Sequence, residues 1–208
     1  QEYVEGSRLS QVIVKQSKVE QKKLAIRAIE SLSNLQNIGN KSQLNKLTNP
    51  ISLGPKWREG RISFPKRLGN TVGIVAPKLN ESAIIDILTI KPDTFIKWDS
   101  RAGNAMVGKS GDIKWFDWEH CGTRCSIDDL VWFLGDEWMP SDKKFDQEII
   151  NKTLSLFKLC NSGVSPESYL YTHAILHMCG RLNKILSLKG SKEWWSRANC
   201  LEFEQMGV

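Results

Sequence analysis

The sequence lacks any apolar run that approaches the ~18–20 residues of a membrane-spanning helix, and it shows no signal peptide. Its longest apolar stretches are interrupted by Lys, Asp or Gly. The 208 residues are 40% hydrophobic and 25% charged, which is ordinary for a globular domain that buries a sizeable core. These features predict a soluble, cytoplasmic protein of one domain or slightly more, without a membrane partner.

Cysteine and histidine are also scarce. The chain has five cysteines and three histidines, and the odd cysteine number without a CxxC pair predicts reduced thiols of a cytosolic protein. A zinc site could use His120, Cys121 and Cys125 or the pair His173 and His177, but these two groups lie far apart in sequence. Buried thiols and a core-facing histidine pair are the preferred interpretation. No G-x-S-x-G motif or cysteine–histidine spacing typical of nucleophilic catalysis is present.

One stretch, residues 94–134, is rich in spaced polar side chains. An apolar strand precedes Asp99, Asn104 follows, and Asp117 comes after a hairpin pattern. Two carboxylates and one amide oxygen suit a hard cation such as Mg²⁺, which binds proteins through one or two carboxylates while phosphates and water complete its shell. The sequence therefore predicts a magnesium and phosphate site in this stretch.

The hairpin brings these side chains together in the prediction. Gly108 and Gly111 are expected to flank a two-residue loop. Asn104 would then face Trp115, and Asp117 would lie one diagonal step beyond, roughly 7–8 Å away between backbones. Both side chains could reach one ion from that distance.

The residues around these positions resemble a kinase-like family. WDSRAGNAMV contains Asp99 and Asn104, WFDWEH contains Asp117, and Asp129 follows at a helix start. A D-x-x-x-x-N loop, a hairpin and an Asp after an apolar strand are together similar to the catalytic core of the aminoglycoside phosphotransferase and choline kinase superfamily. The resemblance covers residues 94–134 well and the remainder in outline.

The resemblance implies an α+β, mainly α-helical fold: the C-terminal lobe of a protein-kinase-like structure with a small catalytic β-hairpin. It implies transfer of the γ-phosphoryl group of ATP to a hydroxyl of a small molecule, with ATP and Mg²⁺ as cofactors. Asp99 would be the catalytic base, Asn104 and Asp117 the magnesium ligands, and Asp129 a structural brace for the catalytic loop.

The chain departs from the family pattern at two places. Lys97-Trp98 stands where the family has His-Gly, and Cys125-Ser126 stands where Asp-Pro is frequent. The first departure favours an alternative function, a pseudokinase-like binding module that keeps the fold without turnover.

The N-terminal residues carry no Gly-rich phosphate loop and no strand with a phosphate-binding Lys. In the family both belong to a β-rich N-terminal lobe, and the first residues of this chain resemble the hinge that follows it. The resemblance implies a hinge at residues 1–7, with Glu2, Tyr3 and Val4 against the nucleotide, and a catalytic and substrate-binding lobe at residues 8–208. It also implies a missing N-terminal lobe in the same polypeptide.

Three other side chains are candidates for contacts in the site. Arg101 could contact the transferring phosphoryl group, or it could be an exposed loop arginine. Glu119 and His120 follow Asp117 and could face the substrate, or they could pair locally.

Residues 48–79 contain four prolines, four glycines and a basic run from Lys56 to Arg67. This composition predicts a long irregular surface crossing, with a substrate-side or phosphate-facing lid as the functional alternative. The net charge of +6 favours anionic partners, of which ATP is one. Because Trp57 and Phe64 interleave with the basic residues, a nucleic-acid-binding protein is a third hypothesis, although nucleic acid is not the partner that the sequence favours.

Helical periodicity covers most of the remaining chain. Gly39 is the expected end of the first helix and Ser126 the expected N-cap of the helix after the hairpin. Helices are predicted at residues 8–38, 81–90, 127–138, 143–160, 166–188 and 191–205. The early part of the first, around residues 12–15, could instead be a separate shorter helix.

Overall fold

The computed structural model describes residues 5–136, 138–140, 142–159 and 163–188. Over these ranges the chain is α+β and mainly helical with small antiparallel sheets, which confirms the predicted class. None of the helices in the same ranges is both long enough and apolar enough to cross a bilayer. The predicted hinge residues Glu2, Tyr3 and Val4 and the predicted helix at residues 191–205 lie outside the described residues.

The strands form two small sheets. One has the order β1 (Gly6–Arg8), β3 (Ala105–Gly108), β4 (Ile113–Trp115), and in the other β2 (Thr94–Ile96) pairs with β5 (Gly122–Arg124). All residues of β2 and β5 are buried, so this pair lies inside the molecule. The chain leaves β2 directly at Lys97 and enters the predicted catalytic loop.

The helices pack against the β2–β5 pair and against one another. Those predicted at residues 81–90 and 166–188 are confirmed, and the one predicted at 143–160 ends earlier, in a 3₁₀ turn at Leu154–Leu156. The described residues form α1 (Leu9–Ile13), α2 (Lys18–Lys41), α3 (Leu44–Leu47), α4 (Pro55–Val72), α5 (Glu81–Leu88), α6 (Ile127–Leu134), α7 (Lys143–Thr153) and α8 (Pro166–Leu188).

Residues 8–38 form two helices, α1 and α2, which agrees with the alternative of a separate short first helix. The predicted end at Gly39 is wrong. Helix α2 begins after Ser17, whose side chain accepts a hydrogen bond from the backbone N–H of Glu20, and it continues past Gly39. A Cβ at Gly39 would lie 2.5 Å from the ring of Phe95 on β2. Glycine is therefore used here for close helix–strand packing. The inward face of α2 consists of Leu24, Ala25, Ala28, Ile29 and Leu32.

The irregular crossing predicted for residues 48–79 is also wrong, because its middle forms α4. Gly54 is the N-cap and Gly73, with φ of 71°, the C-cap, so these glycines mark helix ends. Pro65 lies inside the helix, where a proline normally costs about 3 kcal/mol. Packing offsets this cost, since α4 lies along α8 with the Phe64 ring between them.

Ser126 is the N-cap residue of α6, as predicted, but its side chain makes no capping hydrogen bond. Ser126 Oγ accepts a hydrogen bond from the backbone N–H of Lys158 at 2.9 Å and donates to its carbonyl at 3.0 Å. The side chain thus joins α6 to the segment after α7. Helix α6 ends at Leu134, four residues before the predicted end at residue 138. Its inward face is buried at Ile127, Leu130 and Val131.

Candidate active site

The segment after β2 makes a strained turn. Trp98 and Asp99 have positive φ angles, of 52° and 45°, in a region that non-glycine residues rarely adopt. Two consecutive residues in this region persist only where the surrounding structure fixes them, and such outliers concentrate at functional sites. Both side chains are largely buried.

Two side chains of the same loop hold the Asp99 carboxylate. Arg101 donates from Nε to Oδ1 at 2.6 Å and from Nη2 to Oδ2 at 3.0 Å. Asn104 donates from Nδ2 to Oδ2 at 3.1 Å and to the Asp99 carbonyl at 2.9 Å. Burial raises the pKa of Asp99, but Arg101, with help from Lys97 and Asn104, outweighs it and holds that pKa below its ordinary value. Asp99 is therefore a carboxylate, an acceptor, at neutral pH.

Asp129 closes the base of the loop from α6. Its Oδ2 accepts from the backbone N–H of Lys97 at 3.0 Å, and its Oδ1 accepts from that of Trp98 at 2.8 Å. Gln36 of α2 donates to Oδ2 at 2.9 Å, and Ser100 donates to the Asp129 carbonyl at 2.8 Å. These bonds fix the backbone immediately before the strained turn.

Lys97 connects the two halves of the site. Its side chain is fully buried, and Nζ donates to the carbonyl of Asp99 at 3.3 Å and to that of Asp117 at 3.1 Å. Burial lowers the pKa of Lys97, while the carboxylates of Asp129, Asp99 and Asp117 oppose that change. The ammonium also lies over the rings of Trp115 and Trp118. Lys97, which the sequence shows only as a departure from the family pattern, thus links the two loops.

The hairpin differs from its prediction by one residue. Gly108 bonds through its N–H to the carbonyl of Asp112, so the loop has three residues and ends on Gly111, with φ of 82°. Ala105, rather than Asn104, faces Trp115. The prediction of a two-residue loop fails because Gly111 belongs to the loop and does not flank it.

This register sets the position of Asn104. Its carbonyl accepts from the backbone N–H of Phe116 at 3.1 Å, which places Asn104 across from the residue that directly precedes Asp117. Asp117 itself has φ of 62° and is partly buried. Both ends of the hairpin therefore lie at the Asp99 loop.

The donor set fits a hard cation. Asn104 uses its amide nitrogen on Asp99, which leaves its amide oxygen as an acceptor, and Asp117 adds a carboxylate at the same end of the hairpin. Oxygen donors of this kind match Mg²⁺. Among the residues that the structure describes, no group of three or more His, Cys, Asp or Glu side chains could hold a metal ion, so the zinc interpretation gains no support.

The remaining candidates fall in different places. Arg101 pairs with Asp99. Glu119 and His120 lie in an exposed turn, with side chains 70% and 58% accessible and 3.3 Å between Oε1 and Nε2. Glu119 and His120 therefore pair locally, which is the alternative to a contact with the substrate. His173 and His177 are buried, as predicted.

The sequence alone does not predict a buried network of polar side chains that contacts the loop at Trp98. Arg124 Nε donates to Asp128 Oδ2 at 2.6 Å, Tyr169 Oη donates to Asp128 Oδ1 at 2.7 Å, and His173 Nδ1 lies 2.8 Å from the same oxygen. The guanidinium of Arg124 also lies over Trp98, 5.2 Å from its ring centroid. The i,i+4 spacings 124–128 and 169–173 were the available signals, but helix-surface pairs have the same spacing.

No protein-family model matches this chain, and no curated protein sequence is significantly similar to it.

Proposed function

We propose that the chain is the catalytic and acceptor-binding lobe of an ATP- and Mg²⁺-dependent phosphotransferase with a kinase-like fold, which transfers the γ-phosphoryl group to a hydroxyl of a small molecule. The enzyme would act in the cytoplasm, where ATP is supplied. Asp99 accepts a hydrogen bond from the acceptor hydroxyl and takes its proton. Asn104 and Asp117 would hold Mg²⁺, which supplies charge neutralisation at the phosphates when bound.

The observation that carries the proposal is the Asp99 loop. A carboxylate at a strained turn receives hydrogen bonds from an arginine and an asparagine, and a second carboxylate fixes the backbone of the turn from behind. These buried polar groups hold the Asp99 carboxylate in a fixed position. Positioning is the main contribution that a protein makes to phosphoryl transfer. Asp99 needs little basicity, because in a loose transition state the proton leaves late.

Binding of Mg-ATP tests the first half of the proposal. Calorimetric titration should be made with this chain and with a polypeptide that includes any upstream residues of the same reading frame. Heat of binding that disappears in Asp117→Ala and persists in the exposed control Asp112→Ala would support the metal role. No binding by either polypeptide would contradict it.

Turnover tests the second half. In the polypeptide that binds Mg-ATP, Asp99→Asn keeps the shape of the side chain and removes the proton acceptor. We expect kcat to fall by at least about 10²-fold, the scale of a positioned general base, with little change in ATP affinity. An Asp99→Asn enzyme with unchanged kcat would contradict the assignment of Asp99 as the base.

A second candidate, a binding module without turnover, is favoured by one contact. Arg101 engages both oxygens of Asp99 and lowers its basicity. The variant Arg101→Ala separates the two functions. If Arg101 blocks the carboxylate, the variant gains activity, whereas if Arg101 contacts the transferring phosphoryl group, kcat falls.

A further inference from the structure

Asp136 holds the Asp99 loop at the residues that follow the carboxylate. It lies two residues beyond the end of α6 and is 4% exposed. Its Oδ2 accepts a hydrogen bond from the backbone N–H of Ala102 at 2.5 Å, and its Oδ1 accepts one from that of Trp138 at 3.2 Å. The first of these bonds joins the segment after α6 to the loop residue three positions after Asp99.

The bonded N–H begins the 3₁₀ turn Ala102–Asn104. Arg101, the N-cap residue of this turn, makes no capping hydrogen bond with its side chain. Because Ala102 is fully buried, its N–H needs an acceptor from elsewhere in the chain. Asp136 supplies that acceptor, so the start of the turn is fixed by a residue of another element.

Two further hydrogen bonds connect this fixed point to Asn104. The Ala102 carbonyl accepts from the backbone N–H of Ala105, where β3 begins, and the N–H of Asn104 donates to the carbonyl of Arg101 at 2.9 Å. The backbone of Asn104 is thus set by the turn, while its Nδ2 is bonded to Asp99. The position of the Asn104 amide oxygen therefore depends on how the turn is anchored.

Asp129 and Asp136 divide the loop between them. Asp129, in the first turn of α6, accepts from the N–H groups of Lys97 and Trp98. Helix α6 therefore carries one carboxylate that holds the chain before Asp99 and, just past its end, a second that holds the chain after it. Loss of the second carboxylate should release only the half of the loop that follows Asp99.

We propose that Asp136 is a positioning residue for the metal, which sets the placement of the Asn104 amide oxygen and thereby the affinity of the site for Mg²⁺. The inference rests on the proposed function for the metal, while the anchoring of the turn stands on the hydrogen bonds alone. Because Mg²⁺ demands nearly octahedral geometry, a small displacement of Asn104 weakens metal binding without removing Asp99.

Calorimetry tests the link to the metal and needs no acceptor. The affinities for Mg-ATP and for ATP without metal are measured on the polypeptide that binds Mg-ATP, since their ratio separates the metal contribution from a general loss of structure. Asp136→Ala is compared with Asp136→Asn, which keeps one side-chain oxygen for the Ala102 N–H. The matched control is Thr153→Ala, which removes another buried hydrogen bond, from the Thr153 hydroxyl of α7 to the Ile149 carbonyl.

We expect Asp136→Ala to lower this ratio by about tenfold or more, the scale on which groups that orient metal ligands act. Asp136→Asn should lower it less, and Thr153→Ala should leave it unchanged. In an Asn104→Ala background, Asp136→Ala should have little further effect, because the two residues act as one unit. An unchanged ratio in Asp136→Ala, or an effect that persists in full without the Asn104 side chain, would overturn the proposal.

Amide hydrogen exchange, on this chain without nucleotide or metal, tests the anchoring by itself. The N–H of Ala102 should be protected in the unaltered chain. In Asp136→Ala, the N–H groups of Asn104 and of Phe116, which donates to the Asn104 carbonyl at 3.1 Å, should exchange at least about tenfold faster, since the lost hydrogen bond stabilises the closed turn. The N–H of Trp98 should keep its rate.

The two measurements separate this inference from the proposed function. Exchange of the Ala102 N–H at the rate of an exposed amide, or unchanged exchange at Asn104 in Asp136→Ala, would contradict the proposal whether or not Mg-ATP binds. Faster exchange at Asn104 combined with no Mg-ATP binding by the unaltered polypeptide would support the anchoring and overturn its link to Mg²⁺ together with the transferase.

Discussion

Asp128 and Asp129 are neighbours in the first turn of α6, both fully buried, and their surroundings are opposite. Asp128 faces Arg124, Tyr169 and His173. Burial would raise the pKa of Asp128, but Arg124 and His173 outweigh it and lower this pKa to about 2. Burial raises the pKa of Asp129, and its hydrogen bonds do not fully compensate.

The difference lies in the donors. Asp128 receives a direct bond from a cation, whereas Asp129 receives bonds from two backbone N–H groups and an amide. Successive residues of a helix point about 100° apart, so one turn can serve a charge network and a loop brace at once. Asp128 compensates a buried charge, and Asp129 orients a backbone.

The largest expected effect on stability comes from breaking the ion pair between Arg124 and Asp128. Asp128→Ala leaves the buried guanidinium of Arg124 without its carboxylate, and we expect the free energy of unfolding to fall by about 3–5 kcal/mol. Urea denaturation at pH 7 measures it. The control removes both charges, as Asp128→Leu with Arg124→Met, and should be less destabilised than Asp128→Ala. A double variant as unstable as the single one would show that packing, not the uncompensated charge, dominates.

Removal of the Asp129 carboxylate, whose donors are uncharged, should lower the free energy of unfolding by less. Asp129→Ala removes the acceptor of two buried backbone N–H groups, those of Lys97 and Trp98, while the Gln36 amide keeps its bond to the Ser126 carbonyl. We therefore expect a loss of about 2–3 kcal/mol in the free energy of unfolding. Urea denaturation measures this loss, and Asp129→Asn, which retains one acceptor oxygen, should lose less. Amide hydrogen exchange adds a local measurement, in which the N–H groups of Lys97 and Trp98 should exchange faster in Asp129→Ala. Unchanged exchange at both would contradict the bracing role.

These two acids also illustrate how far the sequence predicts the molecule. A helix start at α6 and the different directions in which the adjacent acids point follow from local periodicity. The partners of Asp128 come from β5 and α8, and no local pattern encodes such distant pairing.

Two of the structural errors, at Gly39 and at residues 48–79, have the same origin. Gly39 looked like a helix end because its contact with Phe95 is tertiary. The glycines and prolines of residues 48–79 suggested a loop because the packing of α4 on α8 is tertiary too. In the candidate site, the spacing of Asp99, Asn104 and Asp117 was visible, but the bridging role of Lys97 was not, because buried lysines are rare.

The pH dependence of stability should have opposite signs for the two acids. The folded pKa of Asp128 is about 2, below its unfolded value, so its contribution of about 2 kcal/mol is present above pH ~4 and is lost as pH falls towards 2. The folded pKa of Asp129 is raised, so its contribution is present below pH ~4 and is lost as pH rises through that folded pKa.

Urea denaturation between pH 7 and 2.5, on the unaltered chain, Asp128→Asn and Asp129→Asn, measures both contributions. The advantage of the unaltered chain over Asp128→Asn should shrink as the pH falls, and its advantage over Asp129→Asn should shrink as the pH rises. Slopes of the same sign for both variants would contradict the distinction between a cation-paired and an amide-paired carboxylate.

The smallest effect concerns the tyrosine hydroxyl that donates a hydrogen bond to the Asp128 carboxylate. Tyr169→Phe removes only the Oη donor at 2.7 Å and keeps the buried ring, so we expect a loss of about 1.5 kcal/mol in the free energy of unfolding, as for a hydrogen bond to a charged group. Because the lost donor favours the carboxylate, the pKa of Asp128 should also rise, and acid unfolding should begin at a higher pH. Tyr171→Phe is the matched control, since that tyrosine is exposed and its hydroxyl lies 3.4 Å from Gln147. Equal stability losses in the two variants would show that Arg124 and His173 alone compensate Asp128.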